Sequence, residues 1–166
     1  EAKGEEAPAA FWRDYLAGYE GKSGIPALKE GLPDSYREGQ DKTWALALSE
    51  EHTRGLEELA ARSGVSLNTV LQGIWAAILG RYNQRDEVVF GMTTSGRAAG
   101  IANIERLTGL FINTIPVRIR LEAESSFREL FEQIHADSLR MREHEHYSLA
   151  RMQAGWPGAG ELFDHI

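Results

Sequence analysis

Between Phe111 and Leu121 apolar and polar residues alternate one by one. Ile115, Val117, Ile119 and Leu121 fall on one side, and Thr114, Pro116, Arg118 and Arg120 on the other. Only an extended chain has a period of two, so this stretch predicts a β-strand with one face against a core. Pro116 has no N–H to give to a ladder, which predicts an edge position or a bulge there. A second strand is expected from Glu87 to Thr94, where Val88, Val89 and Phe90 run together.

The rest of the core must come from helices. Phe11, Trp12, Tyr15, Leu16 and Tyr19 recur at helical spacing and predict a short amphipathic helix over 8–18, its aromatics a packing stripe. Residues 1–10 read as a frayed end, and 20–42, rich in Gly and Pro, as a long irregular connection. Thr43 to Leu48 predicts a strand. Ser49 then caps a helix that carries Glu50 and Glu51 in its first turn and stops at Gly64. Ser66 caps the next helix, which runs to Asn83 and is apolar nearly all round, as a buried helix is. A short helical turn is expected over 101–107. Ser126 and Glu129 have capping-box spacing and open a helix to Arg142, followed by a short one over 148–153. Glu161 to Ile166 reads as the first residues of a strand that the sequence cuts off. Helices and strands in this order predict an α/β layered sandwich.

The chain has 166 residues, which suits one domain or subdomain over 1–166, and 42% are apolar, enough for a core without staples. It has no cysteine, which removes thiolate catalysis and disulfides, and this is compatible with a cytoplasmic setting. A net charge of −7 with no dense Lys/Arg cluster argues against nucleic acid. The longest apolar run, Ile74 to Leu79, is too short to span a bilayer, and no signal peptide is visible, so no membrane association is expected.

Few residues offer chemistry. His144 and His146 point apart on a helix and share a face on an extended stretch, so ion binding is weighed against a solvated helix end, which is favoured; no metal site is expected. His135 reads as a rim residue. Asn113 is more informative. By parity it joins the apolar face with Ile115 and Val117, and an unpaired amide there costs about 1–3 kcal/mol. It either ties down a neighbouring loop or faces a cavity at the sheet end. Ser95-Gly96-Arg97 is either a strand-end turn or a polar lip on a channel.

Gly109-Leu110-Phe111-Ile112-Asn113-Thr114, with Pro116 and Arg118 following, resembles the G-x-F-x-N-T motif of nonribosomal peptide synthetase condensation domains. Asp86 to Arg97 is similar to the strand and loop before that motif, and Ser66 to Asn83 to the buried helix before it. His144 to Ala150 loosely resembles the later H-Q-D-x-P-x-E motif, with His146, Ser148 and Ala150 standing where Asp, Pro and Glu are usual. Leu162-Phe163-Asp164 resembles the run into the last strand. The resemblance implies the C-terminal half of a chloramphenicol-acetyltransferase-like fold, a mostly β sheet flanked by helices, with a tunnel between two halves. It implies peptide-bond formation between a carrier-bound acyl thioester and an aminoacyl thioester. The family's H-H-x-x-x-D-G motif does not occur in this sequence, so the catalytic histidine is expected in the N-terminal half and no catalytic residue here. Asn113, Ser95, Gly96 and Arg97 are expected at the tunnel wall, where they position rather than react. No cofactor is expected on this chain; substrates are expected on phosphopantetheine arms. The implied partners are the N-terminal half, upstream and downstream carrier domains, and a downstream adenylation domain. Alone, the chain is expected to be inactive and to self-associate. The alternatives are a non-catalytic carrier-docking scaffold of the same fold and half of a CoA-dependent acyltransferase.

Overall fold

β1 (Glu87–Thr94) and β2 (Asn113–Arg120) pair antiparallel without a break in register, Glu87 opposite Arg120 and Thr94 opposite Asn113. The structure is a computed structural model and describes residues 5–24, 43, 45–95, 106, 108–109, 111–156, 158 and 161–166. The Val89 N–H donates to Ser23 Oγ and the Gly91 N–H to the His165 carbonyl, both at 3.0 Å. These groups point away from β2, so Val89–Arg118 and Gly91–Pro116 are pairs without mutual hydrogen bonds. The nitrogen of Pro116 therefore faces the far side of β2, where no ladder partner is lost. The expected edge position holds, and no bulge is needed. At Arg118 the same edge is covered by a side chain: the backbone N–H donates to Tyr15 Oη at 2.9 Å.

Helices cover the sheet. On the face carrying Val88, Phe90, Ile115, Val117 and Ile119 lie α3 (Leu67–Asn83) and α4 (Phe127–Arg142). The other face buries Val89 against Leu16, Tyr19, Trp156, Leu162 and Phe163. The layered α/β arrangement is as expected, with a small sheet between helices. Residues 161–166 lie beside β1 through the Gly91 bond and a parallel Ser23–Phe163 bridge.

Local chemistry sets the helix ends. Ser49 Oγ accepts from the His52 N–H to open α2 (Glu50–Ser63), and Gly64 ends it at φ 67°, a left-handed conformation that costs glycine nothing. Ser66 caps α3 through the Thr69 N–H. Ser126 and Glu129 form the expected reciprocal box on α4. α5 spans Leu149–Gly155. α1 spans Glu6–Tyr15, so residues 6–10 are helical rather than frayed. Pro8 fits because the first turn has no intrahelical use for its N–H, and Trp12, Leu16 and Tyr19 are buried, the packing stripe of the sequence reading.

Two further expectations fail. Thr43 and residues 45–48 form no strand, and Leu46 is 88% exposed. A strand needs a neighbour, and among the described residues both sheet edges are otherwise engaged, by Ser23 and His165 on β1 and by Tyr15 on β2. α3 is also not buried all round. Val70, Gly73, Ala76 and Leu79 are buried, whereas Leu67, Leu71, Ile78 and Tyr82 are exposed, because the sheet and α4 cover one side only. The helical turn expected over 101–107 lies outside the described residues apart from Arg106.

α3 and α4 approach closely at Gly73, where an added Cβ would lie 2.6 Å from Phe131 Cε1. Phe131 is a core ring at 1% exposure and cannot swing away. Gly73→Ala should therefore lower stability by about 1–3 kcal/mol by overpacking, despite the better helix propensity of alanine. Denaturant unfolding checks this; an unchanged or raised midpoint would show that the helices separate freely.

Candidate functional site

Asn113 opens β2 and reaches across to the turn between α4 and α5. Its Nδ2 donates to the Glu145 carbonyl at 2.8 Å and to the Tyr147 carbonyl at 2.7 Å. Both amide protons are thus used on backbone acceptors of one turn, which a hydroxyl or a carboxylate could not match. Of the two readings open from the sequence, the tied-down loop is the one this geometry supports. The side chain is half-buried rather than in bulk solvent.

The register brings Ser95 to the same end of the sheet. Thr94 faces Asn113 across the ladder, so Ser95 continues β1 beside Ile112. Ser95 is exposed; Gly96 and Arg97 lie outside the described residues.

The turn held by Asn113 carries the histidine pair. The His144 ring stacks on Phe11 with centroids 4.3 Å apart, and its carbonyl accepts from Trp12 Nε1 at 3.0 Å. Burial pushes the His144 imidazole below its ordinary range; Glu143 pulls the other way, and His146 adds to the lowering. Glu145 is buried and His146 exposed. Among the described residues no group of three or more His, Cys, Asp or Glu is arranged to hold a metal ion. His135 is exposed on α4, as a rim residue is.

Sequence reasoning missed a buried ionic cluster. Arg118 is only 8% exposed. Its Nε donates to Glu87 Oε1 at 2.8 Å, and its Nη1 donates to the carbonyls of Tyr15 and Ala17 at 2.7 and 2.8 Å. Arg120 Nε donates to the same Glu87 oxygen at 2.8 Å. Burial pushes the Glu87 carboxyl up, but the hydrogen bonds from the two guanidinium groups outweigh it and hold it below its ordinary range. Alternation places both arginines on one face of β2, and pairing of the strands would have set Glu87 against Arg120. The burial of Arg118 was not readable, because the carbonyls it caps come from a segment 101 to 103 residues earlier.

The sheet end therefore offers a tethered amide, a hydroxyl and a packed imidazole. This set orients and hydrogen-bonds; it has no nucleophile beside a base.

Comparison with known proteins places this geometry. A family model described as Condensation domain matches residues 1–166. Bacitracin synthase 1 of Bacillus licheniformis is 39% identical over 166 residues, covering 100% of this chain and 3% of that protein. The chain thus spans a small part of the curated relatives it matches. Among solved structures, the first condensation domain of the calcium-dependent antibiotic synthetase, in complex with a substrate analogue, superposes with a TM-score of 0.75 at 20% identity, over 99% of this chain and 35% of that one. The X-domain from teicoplanin biosynthesis gives the same TM-score at 24% identity, over 96% of this chain and 35% of that one.

Two outcomes follow from the site. Asn113→Ala should cost about 1–3 kcal/mol, since two buried-side carbonyls lose their donor, and Asn113→Asp should cost more by setting a carboxylate against them. Thermal unfolding that ranks the alanine variant below the aspartate variant would contradict this. For Glu87, a carboxyl held low in the fold contributes fully above its ordinary value of 4.5 and loses that contribution as pH falls through the lowered one. Glu87→Gln should thus lower stability near neutral pH by about 2 kcal/mol, less than for a fully buried pair because the carboxylate is partly exposed, and should flatten the acid limb of the stability–pH profile. An acid limb as steep as that of the parent chain would show that Glu87 is not responsible.

Proposed function

The chain belongs to the condensation-domain family, and we propose from this that it is one half of the peptide-bond-forming unit of a nonribosomal peptide synthetase. The observation that carries the proposal is the match along the whole chain, shared with a synthase of a peptide antibiotic. In the proposed reaction the amine of a carrier-bound aminoacyl thioester attacks the carbonyl of a carrier-bound acyl thioester. A C–N bond forms, the C–S bond breaks, and the donor carrier's thiol leaves with the proton that the amine loses. The histidine tied to that proton belongs to the H-H-x-x-x-D-G motif of the other half.

The contribution of this half is a rigid wall. In this reading Ser95 stands at the tunnel wall, and Asn113 sets the wall indirectly, by holding the Glu145–Tyr147 backbone in place. The tethering of both Asn113 N–H groups supports this positioning role. Substrates come on phosphopantetheine arms of the upstream and downstream carrier domains, with an adenylation domain loading the acceptor carrier, in the cytoplasm. Among the described residues no helix is long and apolar enough to cross a membrane.

A second reading is a non-catalytic docking module. The equal superposition on a domain named as an X-domain favours keeping it, because the fold alone does not separate the two. Half of a CoA-dependent acyltransferase is a third, and free-standing activity with acyl-CoA would reveal it.

In the intact two-half domain, Asn113→Ala should reduce dipeptide formation per folded molecule about tenfold or more, through misplacement of the wall. Normal turnover in a merely less stable protein would reduce Asn113 to a structural tie. The isolated chain should form no peptide bond from loaded carriers and should self-associate, since Leu71, Ile78 and Tyr82 lie exposed along α3. A monodisperse monomer in light scattering that condenses loaded carriers would refute the half-domain reading.

A further inference from the structure

We propose that the polar cavity between α1, the outer edge of β2 and α4 binds a small oxyanion, a carboxylate or phosphate group carrying one to two negative charges. The cavity measures about 290 Å³ and is lined by Tyr15, Arg118, Arg120, Gln133, Asp137 and Arg140, with Asp14 at its side. This volume is near the lower end for small-molecule sites and suits a ligand of few heavy atoms. The proposal is independent of the tunnel, because none of these residues belongs to the sheet end that carries Asn113 and Ser95.

Arginine is the most frequent charged residue of the lining. Arg118 and Arg120 direct their Nε groups at the same oxygen of a single carboxylate, Glu87, both at 2.8 Å. Arg140 meets Asp137 at 3.2 Å, and Asp14 has its own cation in Arg13 at 3.9 Å. Three guanidinium groups of the lining, Arg118, Arg120 and Arg140, face two of its carboxylates, Asp14 and Asp137, while Glu87 bonds to the first two and Glu122 also acts on Arg120.

Donors are also left over. Arg118 uses its Nε and Nη1 groups on Glu87, Tyr15 and Ala17, and among the described residues its Nη2 meets no acceptor. Its side chain is 7% exposed and held in one orientation by these bonds, so little ordering entropy remains to be lost on binding. A guanidinium with one nitrogen, Nη2, left for a further acceptor, next to a second guanidinium, suits an oxyanion. Burial, against the pull of Arg140 and Arg120, pushes the Asp137 carboxyl up.

The test is a titration of the intact two-half domain with acetate and, separately, methyl phosphate at constant ionic strength kept with chloride. Binding is followed by the Arg118 Nε–H resonance in nitrogen-edited NMR. A saturable shift is expected with at least one of the two anions and not with chloride, and the stronger of the two identifies the natural headgroup as carboxylate or phosphate. Arg120→Gln, at an exposed position, should weaken binding about tenfold or more by removing a charge-assisted donor. Asp137→Asn should strengthen it by removing a negative charge from the lining and freeing Arg140 of its partner. The proposal is overturned by an absence of saturation with both anions in folded protein. It is equally overturned by a shift of the same size with chloride, or by affinities unchanged in both variants.

Discussion

The guanidinium of Arg118 joins pieces of the chain that share no secondary structure. It caps the carbonyls at the end of α1, pairs with Glu87 at the start of β1, and belongs itself to β2. Its own backbone N–H and carbonyl meet the Tyr15 hydroxyl, so side chain and main chain of one residue hold the same helix end. A charge buried this deeply is tolerated only when it is paired and its donors are largely used. That requirement fixes where α1 stops and how its aromatic side chains meet the sheet. Burial raises the pKa of the Tyr15 hydroxyl well above its ordinary value, which keeps it a neutral donor and acceptor at this joint.

With α1 anchored, Trp12 reaches the His144 carbonyl and Phe11 stacks on the His144 ring. The turn after α4 is therefore held twice, by α1 from one side and by Asn113 from the other. The sheet end, the turn and the helix are thus tied to one another. Such ties suit the wall proposed for this half, which requires no reactive group of its own.

What the sequence revealed was mostly local. Ser49, Ser66 and Ser126 cap their helices because a hydroxyl beside the first turn satisfies an N–H whatever the rest of the chain does. Pro116 marked an edge because a missing donor has the same meaning in any sheet. Asn113 stood out as an amide on an apolar face, though its partners, the Glu145 and Tyr147 carbonyls, lie 32 and 34 residues away. Non-local features were harder to read. Leu46 and Leu48 have a strand's alternation and no neighbour to pair with among the described residues. Leu71 and Ile78 look like core on a helix that has only one covered side. Arg118 reads as a solvated residue on an alternating strand, because the helix end that buries it is far away in sequence.

The proposed function is that of a half-site: a wall whose reactive counterpart lies in the N-terminal half of the same domain. Its most direct test is complementation. This chain and a separately prepared first half bearing the H-H-x-x-x-D-G histidine are mixed with donor and acceptor carriers, each loaded with its thioester. Mass spectrometry of the acceptor carrier then reports the dipeptidyl product. The account predicts that product with both halves present and none with either alone. Product from the first half alone would contradict it, as would a stable complex of the two halves that forms none.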